Sequence, residues 1–200
     1  MKLKLFFFLI IISTTAKAQI KKDTLYINKN VNQVIFIDTP HSKFHDLVFN
    51  ILLADIQQNE TNKKDMNLSD NLYSNYLGQW ITVKKLRHKY FAYYPSEPYY
   101  NTFFKLSDST LLINDFNDGF VLYTIKNKKE TKKEANFELM GYEGVRHSLY
   151  IKQKTKTIFM VKSSLFNVNK AYFVKRSNYY NFPIIVNYCS TNRCQEFNFK

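Results

Sequence analysis

The sequence predicts a mainly β chain with a minor helical part: an antiparallel meander closed into a barrel or folded as a sandwich, preceded by an N-terminal helix-containing segment. Three observations predict it. Upstream of Gly78, Phe44, Leu47, Val48, Ile51 and Leu52 recur at the i, i+3, i+4 spacing of an amphipathic helix over Lys43 to Gln57. Downstream of Gly78 the apolar period changes to two and stays there. Short turn clusters, such as Ser107-Asp108-Ser109 and Asn117-Asp118-Gly119, separate the downstream runs at the spacing of an all-β domain.

The chain opens with Lys2 and Lys4, an apolar run from Leu5 to Ile12, Ser13-Thr14-Thr15, and then Ala16-Lys17-Ala18. A basic start, a short greasy stretch and small residues before a cut are what a signal peptidase reads. Residues 1–18 are therefore expected to be a cleavable signal peptide, with Gln19 next and the protein periplasmic or secreted. The apolar run is less than half of the about 20 residues a spanning helix needs, and no later stretch approaches that length, so no transmembrane segment is expected in the mature chain. A lipid anchor would need a cysteine after the cut, and the only cysteines are Cys189 and Cys194. The remaining chain reads as one globular domain: residues 19–77 carry N-terminal strands and a helix packed on the barrel, and residues 78–200 form the barrel-like region.

Within 19–77, strand-like pieces run from Thr24 to Ile27 and from Gln33 to Asp38, and Leu72 to Leu77 suggests a short second helix stopped by Gly78. After it, strand-like runs begin at Trp80, Tyr90, Asn101, Thr110, Phe120, Asn136, Leu149, Ile158, Ala171, Ile184 and Gln195. The last two flank Cys189 and Cys194. In an oxidising compartment this pair is expected to form a structural disulfide pinning a hairpin, worth about 2 kcal/mol. The spacing is not the Cys-x-x-Cys of thiol oxidoreductases.

The formal net charge is +13, three units of which leave with Lys2, Lys4 and Lys17. Almost all of it is lysine, the arginines being Arg87, Arg146, Arg176 and Arg193, whereas bidentate phosphate grip calls for arginine. Lysine rises together with Asn, Phe, Tyr and Ile, as in AT-rich coding sequence. Nucleic acid is therefore not an expected partner; an anionic envelope surface is an open alternative. Lys126, Lys128, Lys129, Lys132 and Lys133 read first as a solvated hairpin loop.

Catalytic signatures are missing from the sequence. The glycines Gly78, Gly119, Gly141 and Gly144 fit neither a nucleophile elbow nor a phosphate-cradling loop. Nothing selects a carboxylate pair among sixteen acidic residues. No cofactor is expected, and an enzyme ranks last among the readings the sequence leaves open. His41 and His45 lie four apart, a spacing metals use, but no glutamate follows the first as in the zinc-protease helix, so a cap and a solvated side chain are the plainer reading. The feature with functional colour is aromatic: Tyr90, Tyr93, Tyr94, Tyr99 and Tyr100 crowd into two adjacent strands and their turn and are the candidate ligand-binding residues.

Gly78-Gln79-Trp80, opening the first strand after a helical lead-in, resembles the Gly-x-Trp start of the lipocalins and related calycin barrels. The resemblance covers Gly78 to about Lys175. It implies that Trp80 closes the narrow end of a barrel and packs under an arginine near the last barrel strand, a role only Arg176 matches. The chain departs from that family in lacking the later Thr-Asp-Tyr loop and in continuing with two strands beyond Arg176. The resemblance implies a non-enzymatic domain binding a small apolar or glycan ligand. The alternative is a protein-interaction, inhibitor or structural domain of the cell envelope whose barrel is filled by its own side chains.

Overall fold

A strand that is apolar on one side needs a second apolar surface, and a long antiparallel meander finds one by closing on itself. The computed structural model does so. It describes residues 24–50, 75–97, 101–115, 119–166, 170–190 and 194–199. The expected signal segment, the second half of the first helix and residues 72–74 of the expected second helix lie outside these residues, and residues 75–77 are turn and loop rather than helix. The order is β1 (Thr24–Asn28), β2 (Gln33–Asp38), helix α1 (residues 43–50), β3 (Gly78–Leu86), β4 (Lys89–Tyr94), β5 (Phe103–Leu106), β6 (Thr110–Asp115), β7 (Gly119–Glu130), β8 (Glu134–Met140), β9 (Arg146–Gln153), β10 (Phe159–Ser163), β11 (Ala171–Lys175), the single-turn α2 (Arg176–Tyr179) and β12 (Ile184–Cys189).

Strands β5 to β11 pair in sequence order, and β3 sits between β11 and β5 to close an eight-stranded antiparallel barrel. The seam pairs Gln79 with Lys105 and Trp80 with Phe104 on one side of β3. On its other side Phe173 meets Thr82 and Lys175 meets Trp80. Alternate residues face inward, which the period-two pattern requires: Leu111 and Ile113, Ala135, Phe137 and Leu139, Leu149 and Ile151, Phe159 and Val161 all belong to the interior cluster.

Strand β3 outruns the barrel. Its last residues, Lys84 to Leu86, pair with β4 and carry it away from the wall. Strand β4 lies parallel to β12, Ile184 beside Ala92 and Val186 beside Tyr94. Strand β12 is antiparallel to β2, and β2 to β1, so a four-stranded side sheet grows out of the barrel. The N-terminal strands thus join this sheet. One of its faces, with Ile184, Val186 and Ala92, packs with Val48 and Phe49 of α1, Tyr179 of α2, and Ile81, Val83 and Val174 from the outer side of the barrel wall. The other face carries Ile35, Phe91, Tyr93 and Ile185 and is covered by Phe197 and Phe199.

Two further expectations are corrected. The run from Gln195 to Phe199 is not a strand, and Cys189–Cys194 does not pin a hairpin. Both edges of β12 are already taken, by β2 and β4, so the returning chain has no ladder to join and crosses the sheet face instead. The disulfide itself is present. Mass measured with and without reductant should differ by about 2 Da, the two hydrogens gained on reduction; equal masses would refute the bridge. Secondly, Lys126, Lys128 and Lys129 belong to the long strand β7, and only Lys132 and Lys133 sit in the turn. Lys128 pairs with Asp108 at 3.0 Å. Among the described residues no helix is long and apolar enough to cross a membrane.

Candidate functional site

Three places answer the sequence expectations: the barrel interior, the tyrosine-bearing sheet and the start of α1. Gly78 admits the chain to β3 at φ +113°, a conformation open to glycine, although a Cβ there would meet no atom within 4 Å. Trp80 then points into the barrel, fully buried. Its indole Nε1 donates to the Tyr76 carbonyl at 2.8 Å. Its ring stacks on Phe104 at 5.9 Å and meets the edge of Phe159 at 4.8 Å. Phe104 touches Phe173 at 4.9 Å and Phe166 at 6.2 Å. Trp80 and four phenylalanine rings therefore pack together inside the barrel.

The cation over Trp80 is Lys175, 5.8 Å from the ring, because register pairs these two residues. Arg176 is one residue further, at the start of α2. It donates to Gln79 Oε1 at 2.9 Å and lies 5.0 Å from the Phe49 ring.

The tyrosines are divided by strand alternation. Tyr90 and Tyr94 face the α1 side, where Tyr94 packs on Phe44 at 5.4 Å. Tyr90 meets Tyr172 at 5.1 Å, with Lys85 over the Tyr90 ring and Lys170 over the Tyr172 ring. Burial raises the Tyr172 hydroxyl, but the hydrogen-bonded Lys170 ammonium, with Lys85 and Lys154 nearby, outweighs this and leaves it lowered. Tyr99 and Tyr100 lie outside the described residues.

Tyr93 faces the opposite way, into a network that the sequence reading missed. Its hydroxyl donates to the Glu196 carboxylate. It accepts from the Phe197 amide at 3.2 Å and from Asn187 Nδ2 at 3.3 Å. Glu196 also accepts from the Ser96 hydroxyl, from the Ser96 amide at 3.0 Å, from the Glu97 amide at 3.3 Å and from Asn187 Nδ2 at 3.3 Å. The carbonyl of Gln195 accepts from Gln33 Nε2 at 2.6 Å and from Asn187 Nδ2 at 3.1 Å, and Gln33 reaches Asn187 Oδ1 at 2.8 Å. Burial, then the hydrogen-bonded carboxylate of Glu196, push the Tyr93 hydroxyl strongly up, so it stays a donor. Burial lowers the Lys84 ammonium, and the charge of Glu196 offsets part of that. The legible signal was parity: Asn187 and Gln33 are polar residues in otherwise apolar strands, at positions that alternation buries.

At α1, Ser42 caps the helix by accepting from the Phe44 amide. His41 stacks on Tyr180 at 6.1 Å, and His45 on the same ring at 5.5 Å. His45 is fully buried, with Nδ1 3.1 Å from the Ser42 carbonyl and Nε2 3.0 Å from that of Phe182. Among the described residues no group of three His, Cys, Asp or Glu is placed to hold a metal. Burial lowers the His45 pKa below 6.5, and the two carbonyls, which raise it, offset only part. A lowered folded-state value means the unfolded chain takes up the proton first. The stability His45 contributes is thus complete above about pH 6.5 and is lost as the pH falls below it, at up to about 1.4 kcal/mol per pH unit. Urea midpoints measured from about pH 5 to pH 7.5 should drop on the acid side, and His45→Gln should flatten that part of the curve; parallel curves would rule His45 out.

No protein-family model, no curated protein and no solved structure matches the chain.

Proposed function

We propose that the chain is an exported, non-catalytic protein-interaction domain of the cell envelope: a lipocalin-like barrel whose interior is occupied by its own side chains. The observation that carries this reading is the ring cluster of Trp80, Phe104, Phe159, Phe166 and Phe173. Small eight-stranded barrels have an interior just wide enough either to be filled or to hold one small ligand, and bulky aromatics pointing inward favour filling. The disulfide and the signal-like residues 1–18 support the export part.

Native mass spectrometry of protein purified without detergent tests it. The expected spectrum contains apoprotein only, with no fluorescence response to lipid-like probes. A retained small molecule would overturn the filled-barrel reading in favour of an apolar-ligand carrier.

A second reading has its own observation, the Tyr90–Tyr172 pair among Lys85, Lys154 and Lys170. That chemistry suits an acidic glycan on the outside of the barrel. Under it, an acidic oligosaccharide should form a one-to-one complex that Tyr90→Ala abolishes.

A further inference from the structure

The face of the side sheet beneath residues 194–199 is unusual in what it offers. A sheet face that only packed an apolar strap would be apolar throughout. Here Gln33, Asn187 and Tyr93, exposed by 1%, 0% and 2%, bring polar side chains to it. Their hydrogen bonds converge on the crossing segment. Gln33 and Asn187 donate to the Gln195 carbonyl, and the Tyr93 hydroxyl accepts from the Phe197 amide. Main-chain groups of the segment are thus met by side chains of the sheet.

Beside them, the turn after β4 gathers donors around a single carboxylate. The Ser96 amide, the Ser96 hydroxyl and the Glu97 amide point at Glu196 from one side, and Tyr93 and Asn187 from the other. Next to this pocket, Phe199 meets Tyr93 edge-on at 4.9 Å and Phe197 packs against Phe199 at 4.8 Å. The segment has no strand character, so side-chain recognition holds it.

We propose that this face is a peptide-recognition groove, specific for an extended segment carrying a carboxylate followed by aromatic rings one and three residues later, and that residues 195–199 occupy it in cis. Main-chain recognition, a carboxylate pocket and an aromatic shelf are the parts a peptide site needs. The bridge Cys189–Cys194 fixes the root of the segment beside the groove, which raises its effective concentration and keeps outside peptides of the same chemistry from entering. The groove rests on the interaction-domain reading only in part, for a small molecule found inside the barrel would overturn that reading and leave the groove untouched.

Deleting residues 195–200 retains both cysteines and empties the groove. The probe is the labelled peptide Gln-Glu-Phe-Asn-Phe-Lys, followed by fluorescence anisotropy. The shortened protein should bind it, the full chain should bind it at least about tenfold more weakly, and a peptide with Gln for Glu should lose about tenfold, as for one charge-assisted hydrogen-bond cluster. A folded shortened protein that ignores the peptide, or takes both peptides equally, overturns the proposal. If the shortened chain does not fold, Glu196→Gln in the full chain decides. Hydrogen exchange at the Phe197 amide should then quicken about tenfold while the Ile151 amide in the barrel is unchanged, and unaltered exchange at Phe197 overturns the proposal.

Discussion

Trp80→Ala should lower the unfolding free energy by about 3–5 kcal/mol, the range for deleting a large aromatic from a packed core. The indole is fully buried and holds the strand seam together from inside, being paired with Phe104 on one side and Lys175 on the other. Its loss removes the hydrogen bond to the Tyr76 carbonyl and leaves Phe104 and Phe159 facing a void. For a chain of this length that corresponds to a fall of about 10 °C in Tm. Trp80→Phe keeps a ring but not the Nε1 donor, and should cost about half as much. Urea denaturation of the two variants measures both. A cost below about 1 kcal/mol for the alanine variant would mean that the interior is loose there.

Asn187→Ala should cost about 2–3 kcal/mol, although it removes few atoms. Asn187 stands at the centre of the polar network: its Oδ1 accepts from Gln33, and its Nδ2 serves Tyr93, Gln195 and Glu196. Truncation leaves buried partners of these bonds under-satisfied, the expensive side of hydrogen-bond energetics. Asn187→Leu restores volume but not donors, so it should not recover the loss. Matching melting curves for the leucine variant and the parent would show that packing alone fills that position.

The parts of the fold that could be read directly are those set by neighbours in sequence. Ala135, Phe137 and Leu139 announce their strand by alternation, and Phe44, Val48 and the residues around them announce α1. Gly78 before Trp80 marks the strand entry because its positive φ excludes most residues. What stayed hidden depends on distant partners. Nothing local to β12 says that it will lie parallel to β4 and beside β2, and those two pairings are what deny the Gln195–Phe199 run a ladder. That run has strand composition, yet its Gln195 carbonyl and Phe197 amide bond to side chains of the sheet. Lys175, not Arg176, covers Trp80 because register sets which cation reaches the ring, and register is a property of the assembled seam.

One strand, β3, lies between β11 and β5 and so turns a meander into a closed barrel. Backbone NOE contacts in an NMR spectrum of the folded protein address it directly. Strand β3 should show both sets together, Gln79 with Lys105 and Thr82 with Phe173. Contacts to β11 without any to β5 would leave an open sheet, contradict the closure, and remove the ground for the proposed filled interior around Trp80.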